Sequence, residues 1–250
     1  MDNPATPAQA LSGVLVMLLV DYATQHRAWG WLRLAQGTAF LKETPGLLFA
    51  KVMGSGQHGG FSLRPSSSHQ GLVCMFESQQ QAEQFIQGPH VQAYRDRARE
   101  CWIGLLDITS SRGSWDRQSW GVTPSSCLQQ PLDNATPIAA LTRASIRPAK
   151  AMAFWRRAPA SQASLTQAPG CLLAMGLGEA PLIRQCTFSV WRDTGSMLNF
   201  AHQGAHHQAI QAAYKQDFFS ESLFVRMRVL TMQGDWQGHH FARTQEVAHA

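Results

Sequence analysis

The 250-residue chain repeats itself. Pro45-Gly46 introduces the apolar run LLFAKVM, and Pro169-Gly170 introduces CLLAMGLG. QGLVCMF (70–76) is answered by QCTFSVW (185–191), and QGPHVQA (87–93) by QGAHHQA (203–209), which sets His90 against His206. Trp31 and Trp155 stand at the same distance from their Pro-Gly pairs, and Trp115 and Trp236 each close a copy. A self-match sustained through six elements constrains the fold more than any single motif, because each copy must then be one supersecondary unit.

Hydrophobic patterning supplies the elements of that unit. In the first copy, strands are expected at 11–22, 47–53, 71–78 and 101–109, with helices at 28–42 and 79–100. A Pro-, Ser- and Asn-containing stretch, 121–136, reads as a linker. Strands at 137–146, after Gly170, at 185–191 and at 223–230 then follow, with a helix opened by Pro148 and a long one at 194–216. The order is βαββαβ twice, and one such unit makes a four-stranded antiparallel sheet with both helices on one face. The expected class is α+β: two fused ferredoxin-like repeats, 11–120 and 137–238, forming an internal version of the dimeric α+β barrel, with a tail at 239–250.

A net charge of +5 suits an acidic surface, but the basic residues form no block, which argues against nucleic acid. The run 14–20 is too short to span a membrane and reads as a buried strand, so any membrane contact would be peripheral, made by positive charge and exposed tryptophans. Five cysteines without a CxxC pair read as reduced thiols of a cytoplasmic protein, with a peripheral place on the inner membrane as the alternative.

Several motifs fail on context. Residues 54–59 match GxGxxG, but no helix follows to hold a pyrophosphate, so the stretch reads as a hairpin loop. His202 and His206 have HExxH spacing, yet Gln203 stands where the general base should be. His206 lies mid-helix among small residues, which leaves room for a flat macrocycle between helix and sheet, or it caps a polar gap. In strand 137–146, alternation puts Leu141, Arg143 and Ser145 on one face. A buried arginine needs an anion: bound oxygen or a propionate, or else a carboxylate such as Glu179 or Asp193. Arg147, at the following turn, is the second candidate. Trp155, Phe188, Phe218 and Phe219 are apolar enough to line a channel or to be plain core.

The run LTRASIRP (141–148), then Phe154-Trp155, GLGEAPL (176–182), TFSVW (187–191), Ala205-His206 and FFSESLF (218–224) resemble the spheroidene monooxygenase family, as do Gly54-Ser55-Gly56 and RGSW (112–115). The resemblance runs from about residue 11 to 238. It implies a haem b oxygenase that inserts a keto group at C-2 of an acyclic carotenoid, using O2 and electrons from an external donor such as a ferredoxin. Carried onto this chain, it makes His206 the iron ligand, with His202 and His207 as fallbacks. Arg143 or Arg147 would be the distal catalytic group, and Arg143, Trp155, Phe188 and Phe218 would line the cofactor site. Other readings are a haem enzyme of the same fold acting on another lipophilic or nitrogenous compound, a non-catalytic haem or carotenoid carrier, and a cofactor-free barrel.

Overall fold

A computed structural model describes residues 10–60, 62–124, 136–156, 165, 167–180, 182–202 and 217–242. The first repeat contains β1 (Val14–Tyr22), α1 (Arg27–Gln36), β2 (Leu47–Gly56), β3 (Pro65–Phe76), α2 (Gln79–Gln87), α3 (Pro89–Arg95) and β4 (Ala98–Gly113). The second contains β5 (Ile138–Ile146), α4 (Ala151–Trp155), β6 (Cys171–Ala180), β7 (Arg184–Trp191), α5 (Thr194–His202) and β8 (Phe219–Trp236), followed by a short β9 (His239–Phe241). The expected 79–100 helix is two helices, because Gly88 is extended and Pro89, lacking an N–H, can only start a new one. Of the expected 194–216 helix, 194–202 is helical and 203–216 lies outside the described residues.

Hydrogen bonding runs in the order β4-β1-β3-β2-β6-β7-β5-β8, and β4 pairs with β8 to close an eight-stranded antiparallel barrel. The expected α+β barrel of two ferredoxin-like repeats is the observed architecture. Its two joints obey a pseudo-twofold axis. At the β2–β6 joint Gly54 faces its own counterpart, Gly178. At the β4–β8 joint Trp102 faces Gly234, and Leu223 faces Gly113, so each glycine opposes the position equivalent to its counterpart's partner. Gly113 (φ 99°) and Gly234 (φ 102°) adopt a backbone that side chains rarely tolerate, and a Cβ on either would sit 2.0 Å from the carbonyl oxygen of Ser222 or Cys101.

The Pro-Gly turns match as well. Glu77 N–H donates to Gly46 O (2.9 Å), and Arg192 N–H to Gly170 O (2.8 Å). Each following helix is capped by a side chain: Ser78 Oγ accepts from Gln81 N–H (3.3 Å), and Asp193 Oδ1 from Ser196 N–H (2.6 Å).

Alternation along the strands divides the apolar side chains between the barrel interior and the outer faces of the sheet. Leu15, Met17, Leu19, Trp102, Leu141, Met175, Phe188 and Val225 share the interior with Trp115 and Trp236. Outside, Val16, Leu18, Leu72, Cys74, Ile103 and Leu105 of the first repeat pack with Phe85, Ile86, Val91 and Tyr94 of α2 and α3. No helix among the described residues is long and apolar enough to cross a membrane.

Candidate active site

The pseudo-symmetry lets the outer faces of the two half-sheets be compared row by row. Across β2-β3-β1-β4, two central rows read Ala50-Cys74-Val16-Leu105 and Val52-Leu72-Leu18-Ile103. Across β6-β7-β5-β8, the equivalent rows read Ala174-Ser189-Ala140-Arg226 and Gly176-Thr187-Thr142-Phe224. On β6, β7 and β5 the second repeat carries alanine, glycine, serine and threonine where the first carries mostly valine and leucine, while β8 keeps the bulky Arg226 and Phe224. The floor over those three strands is a shallow trough, and at its Ala174 end Leu165 and Met197 already pack on it.

Aromatic side chains stand at both ends of the trough. At one, Trp191 packs on Phe200 of α5 with centroids 5.1 Å apart. At the other, Phe154 of α4 lies 5.7 Å from Trp155, 6.2 Å from Phe218 and 6.0 Å from Phe219. Trp155 is pinned there by its indole N–H, which donates to Leu182 O (2.9 Å). Between Ile138 and Ile146 the floor runs about 27 Å, the rise of an extended strand over that length. The Thr142 and Thr187 hydroxyls are polar groups on this floor, and the buried Ser189 hydroxyl accepts from the Trp191 indole N–H (3.0 Å).

Arg143 projects from the opposite face of β5, into one end of the barrel, and is fully buried. Its guanidinium meets Glu221 of β8, Glu179 of β6 (3.2 Å) and Asp116 in the turn after β4 (3.5 Å), and its carbon lies 5.5 Å from the Trp115 ring centroid. Lys51 (2.5 Å from Asp116, 3.7 Å from Glu179) and Arg184 (3.4 and 3.5 Å) complete a set of three cations and three carboxylates. Burial pushes the Glu221 carboxyl up, but the Arg117 N–H, the Ser114 hydroxyl and Arg143 outweigh it and hold the group below its ordinary value. Asp116 is likewise lowered against its burial by Lys51, Arg143 and Arg184. Of the anions considered for Arg143, Glu179 is present; Asp193 instead pairs with Arg192 (3.2 Å).

The other expected site residues are dispersed. Arg147 is half-exposed and pairs at the surface with Asp217 (3.1 Å). Phe188 is in the barrel interior, 5.6 Å from Trp102, with the sheet between it and the trough. Trp155 and Phe218 both belong to the aromatic end of the trough. His202 is exposed at the end of α5, while His206 and His207 lie outside the described residues.

The haem b expectation is overturned here. Among the described residues no three His, Cys, Asp or Glu side chains are grouped to hold a metal ion. A macrocycle between helix and sheet would lie on the outer face, whereas Arg143, the expected distal group, is on the inner face and already surrounded by carboxylates. Among the described residues none forms a site for the group.

No motif marks Ala140, Thr142, Gly176, Thr187 and Ser189. The signal that identifies them is the repeat itself, aligned position by position.

The fold defines an internally duplicated α+β-barrel protein, with the trough on its second repeat as the candidate site. No family model matches the chain. It is 48% identical over 239 residues to the spheroidene monooxygenase of Rubrivivax gelatinosus, covering 94% of this chain and 90% of that one. It is 34% identical over 202 residues to that of Rhodobacter capsulatus, covering 79% and 82%. The chain belongs to the spheroidene monooxygenase family, and is an oxidoreductase of the monooxygenase type. The fold is shared with an aldoxime dehydratase at TM-score 0.55, covering 91% of this chain and 88% of that one at 10% identity, a likeness of fold alone.

Proposed function

We propose that this protein inserts a keto group at C-2 of an acyclic, spheroidene-like carotenoid. The observation that carries the reading is the 48% identity spanning nine-tenths of the Rubrivivax gelatinosus spheroidene monooxygenase. The trough supports it by length and ends: a polyene is long and slim, and the run of about 27 Å between Trp191 and Phe219 is bounded by aromatic side chains.

The overall chemistry balances with O2 and a two-electron donor from outside the chain, a small redox protein of the ferredoxin type. Hydroxylating the CH2 group consumes one O2, two electrons and two protons and releases one water. A second round on the same carbon produces a geminal diol, which loses water to leave the ketone. In this reading the chain's own residues bind and orient. The alanine and glycine floor lets the polyene approach the backbone, Phe154, Trp155, Phe218 and Phe219 shield one end from water, and the Thr142 and Thr187 hydroxyls are hydrogen-bonding groups for the nascent alcohol.

The test is purified protein with an acyclic carotenoid, a reduced ferredoxin and isotopically labelled O2, followed by mass spectrometry. The expected product has gained one labelled oxygen and lost two hydrogens, with the carbonyl at C-2. An unaltered carotenoid under conditions where another lipophilic compound is oxygenated would refute the substrate assignment.

A further inference from the structure

On the first repeat, between the start of α1 and the β2–β3 hairpin, lies a cavity of about 420 Å³. It is lined by Arg27, Arg64, Arg99, His58, His69 and the serines at 66–68. Its positive charge is only partly answered. Arg99 is engaged by Asp21, which is fully buried behind it. The neighbouring carboxylate, Glu100, accepts the backbone N–H groups of Gln237 and Gly238 (2.9 Å each). Arg27 and Arg64 make no ion pair among the described residues, and the Nε–H of Arg27 is buried without a hydrogen-bond partner. The Ser66 and Ser68 hydroxyls are engaged by His69 Nδ1 (2.9 and 3.2 Å), which leaves the two guanidinium groups, with Ser67 beside them, as the donor set for a tetrahedral oxyanion.

Exposed apolar side chains neighbour both arginines in the chain. Trp31, one helical turn beyond Arg27 on α1, is 46% exposed, and the adjacent Leu32 is 54% exposed. Leu63, next to Arg64 on the hairpin, is 58% exposed. A site for a free anion has no use for such neighbours. An acidic protein partner would call for a broad surface rather than a cavity. Tryptophan and leucine beside arginine is the composition that settles at the headgroup level of a bilayer, with the apolar side chains at the acyl boundary and the guanidinium groups on phosphate.

We propose that this cavity is the docking site for an anionic lipid headgroup, whose phosphate Arg27 and Arg64 hold while Trp31, Leu32 and Leu63 seat in the bilayer surface. The site is on the repeat that does not carry the trough, and the proposal stands or falls independently of the carotenoid reading.

The experiment is co-sedimentation of the full chain with vesicles of phosphatidylcholine alone and of phosphatidylcholine containing phosphatidylglycerol, with no carotenoid present. Binding is expected to the anionic vesicles only. Each arginine at an anionic surface contributes about fivefold to partitioning, so Arg27→Gln/Arg64→Gln lowers it by roughly tenfold or more. Trp31→Ser/Leu63→Ser lowers it on the same vesicles; both side chains are exposed, and unfolding by heat checks that the fold is unchanged. Equal binding to neutral vesicles, binding insensitive to the two arginines, or binding of inorganic phosphate with no vesicle partition would each overturn the proposal. Capture by an acidic protein but not by vesicles would overturn it too.

Discussion

Replacing Arg143 by methionine isolates the charge cluster that closes one barrel end. The side chain is fully buried, and its removal leaves Glu221 with only the Ser114 hydroxyl (2.9 Å) and the Arg117 N–H (2.7 Å). Breaking a buried ion pair from one side costs about 3–5 kcal/mol, because the remaining charge stays desolvated. Lys51 and Arg184 still neutralise Asp116 and Glu179, which places the expected loss at the lower end, about 3 kcal/mol. For a chain of this size that lowers Tm by about 6–12 °C.

Arg143→Met/Glu221→Gln should be more stable than the sum of the single changes, since the second removes the stranded charge. The pH dependence has a definite sign. Asp116 and Glu221 have folded-state pKa values below their ordinary values of 3.8 and 4.5, so their contribution is complete above that range and is lost as pH falls through the lowered values. The Arg143→Met deficit is therefore largest at neutral pH and narrows below about pH 4.5. Urea denaturation at pH 7 and at pH 4 measures both. A loss under about 1 kcal/mol, or a double variant whose losses simply add, would refute the reasoning. Because Arg143 faces away from the trough, the folded variant should keep its oxygenase turnover.

Gly113→Ala and Gly234→Ala each force a Cβ against a backbone carbonyl at positive φ, and each should destabilise by at least about 2 kcal/mol in urea denaturation. A large difference between the two would mean that the joint is not symmetric. Thr142→Leu restores the side chain that the first repeat has at Leu18 and fills the trough floor; carotenoid turnover should fall about tenfold, a loss of about 1.4 kcal/mol, while Tm holds because Thr142 is only part-buried. Unchanged turnover would remove the trough from consideration as the substrate site. Burial raises the thiols of Cys74 and Cys186 well above the ordinary range, that of Cys101 to about 12 and that of Cys171 to about 11. At pH 8, iodoacetamide followed by peptide mapping should therefore find Cys171 modified first among these four, and Cys74 and Cys186 only after unfolding.

Much of the architecture is legible in the sequence because it depends on local periodicity and on punctuation. The Pro-Gly pairs at 45–46 and 169–170 place a glycine where φ is positive, 67° and 81°, ahead of each second strand. The paired Trp115 and Trp236 mark where the two long strands end against the barrel interior. Local signals fail at boundaries set by partners. The last strand of each repeat is far longer than its apolar run, 16 residues for β4 and 18 for β8, because each continues along the other to close the barrel.

The site was less legible still. Alternation along β5 correctly separates Arg143 from Ala140 and Thr142, but the sequence does not say which face carries the helices and which is enclosed. That depends on closure, which brings carboxylates 36 and 78 residues away onto one guanidinium. It also gathers the small side chains of three strands into one trough that no stretch of sequence displays. The sequence by itself determined the duplication and the order of elements, since hydrophobic period and turn chemistry act over a few residues. Tertiary structure alone decided what Arg143 touches and where a long substrate can lie, because those depend on the register between strands distant in the chain.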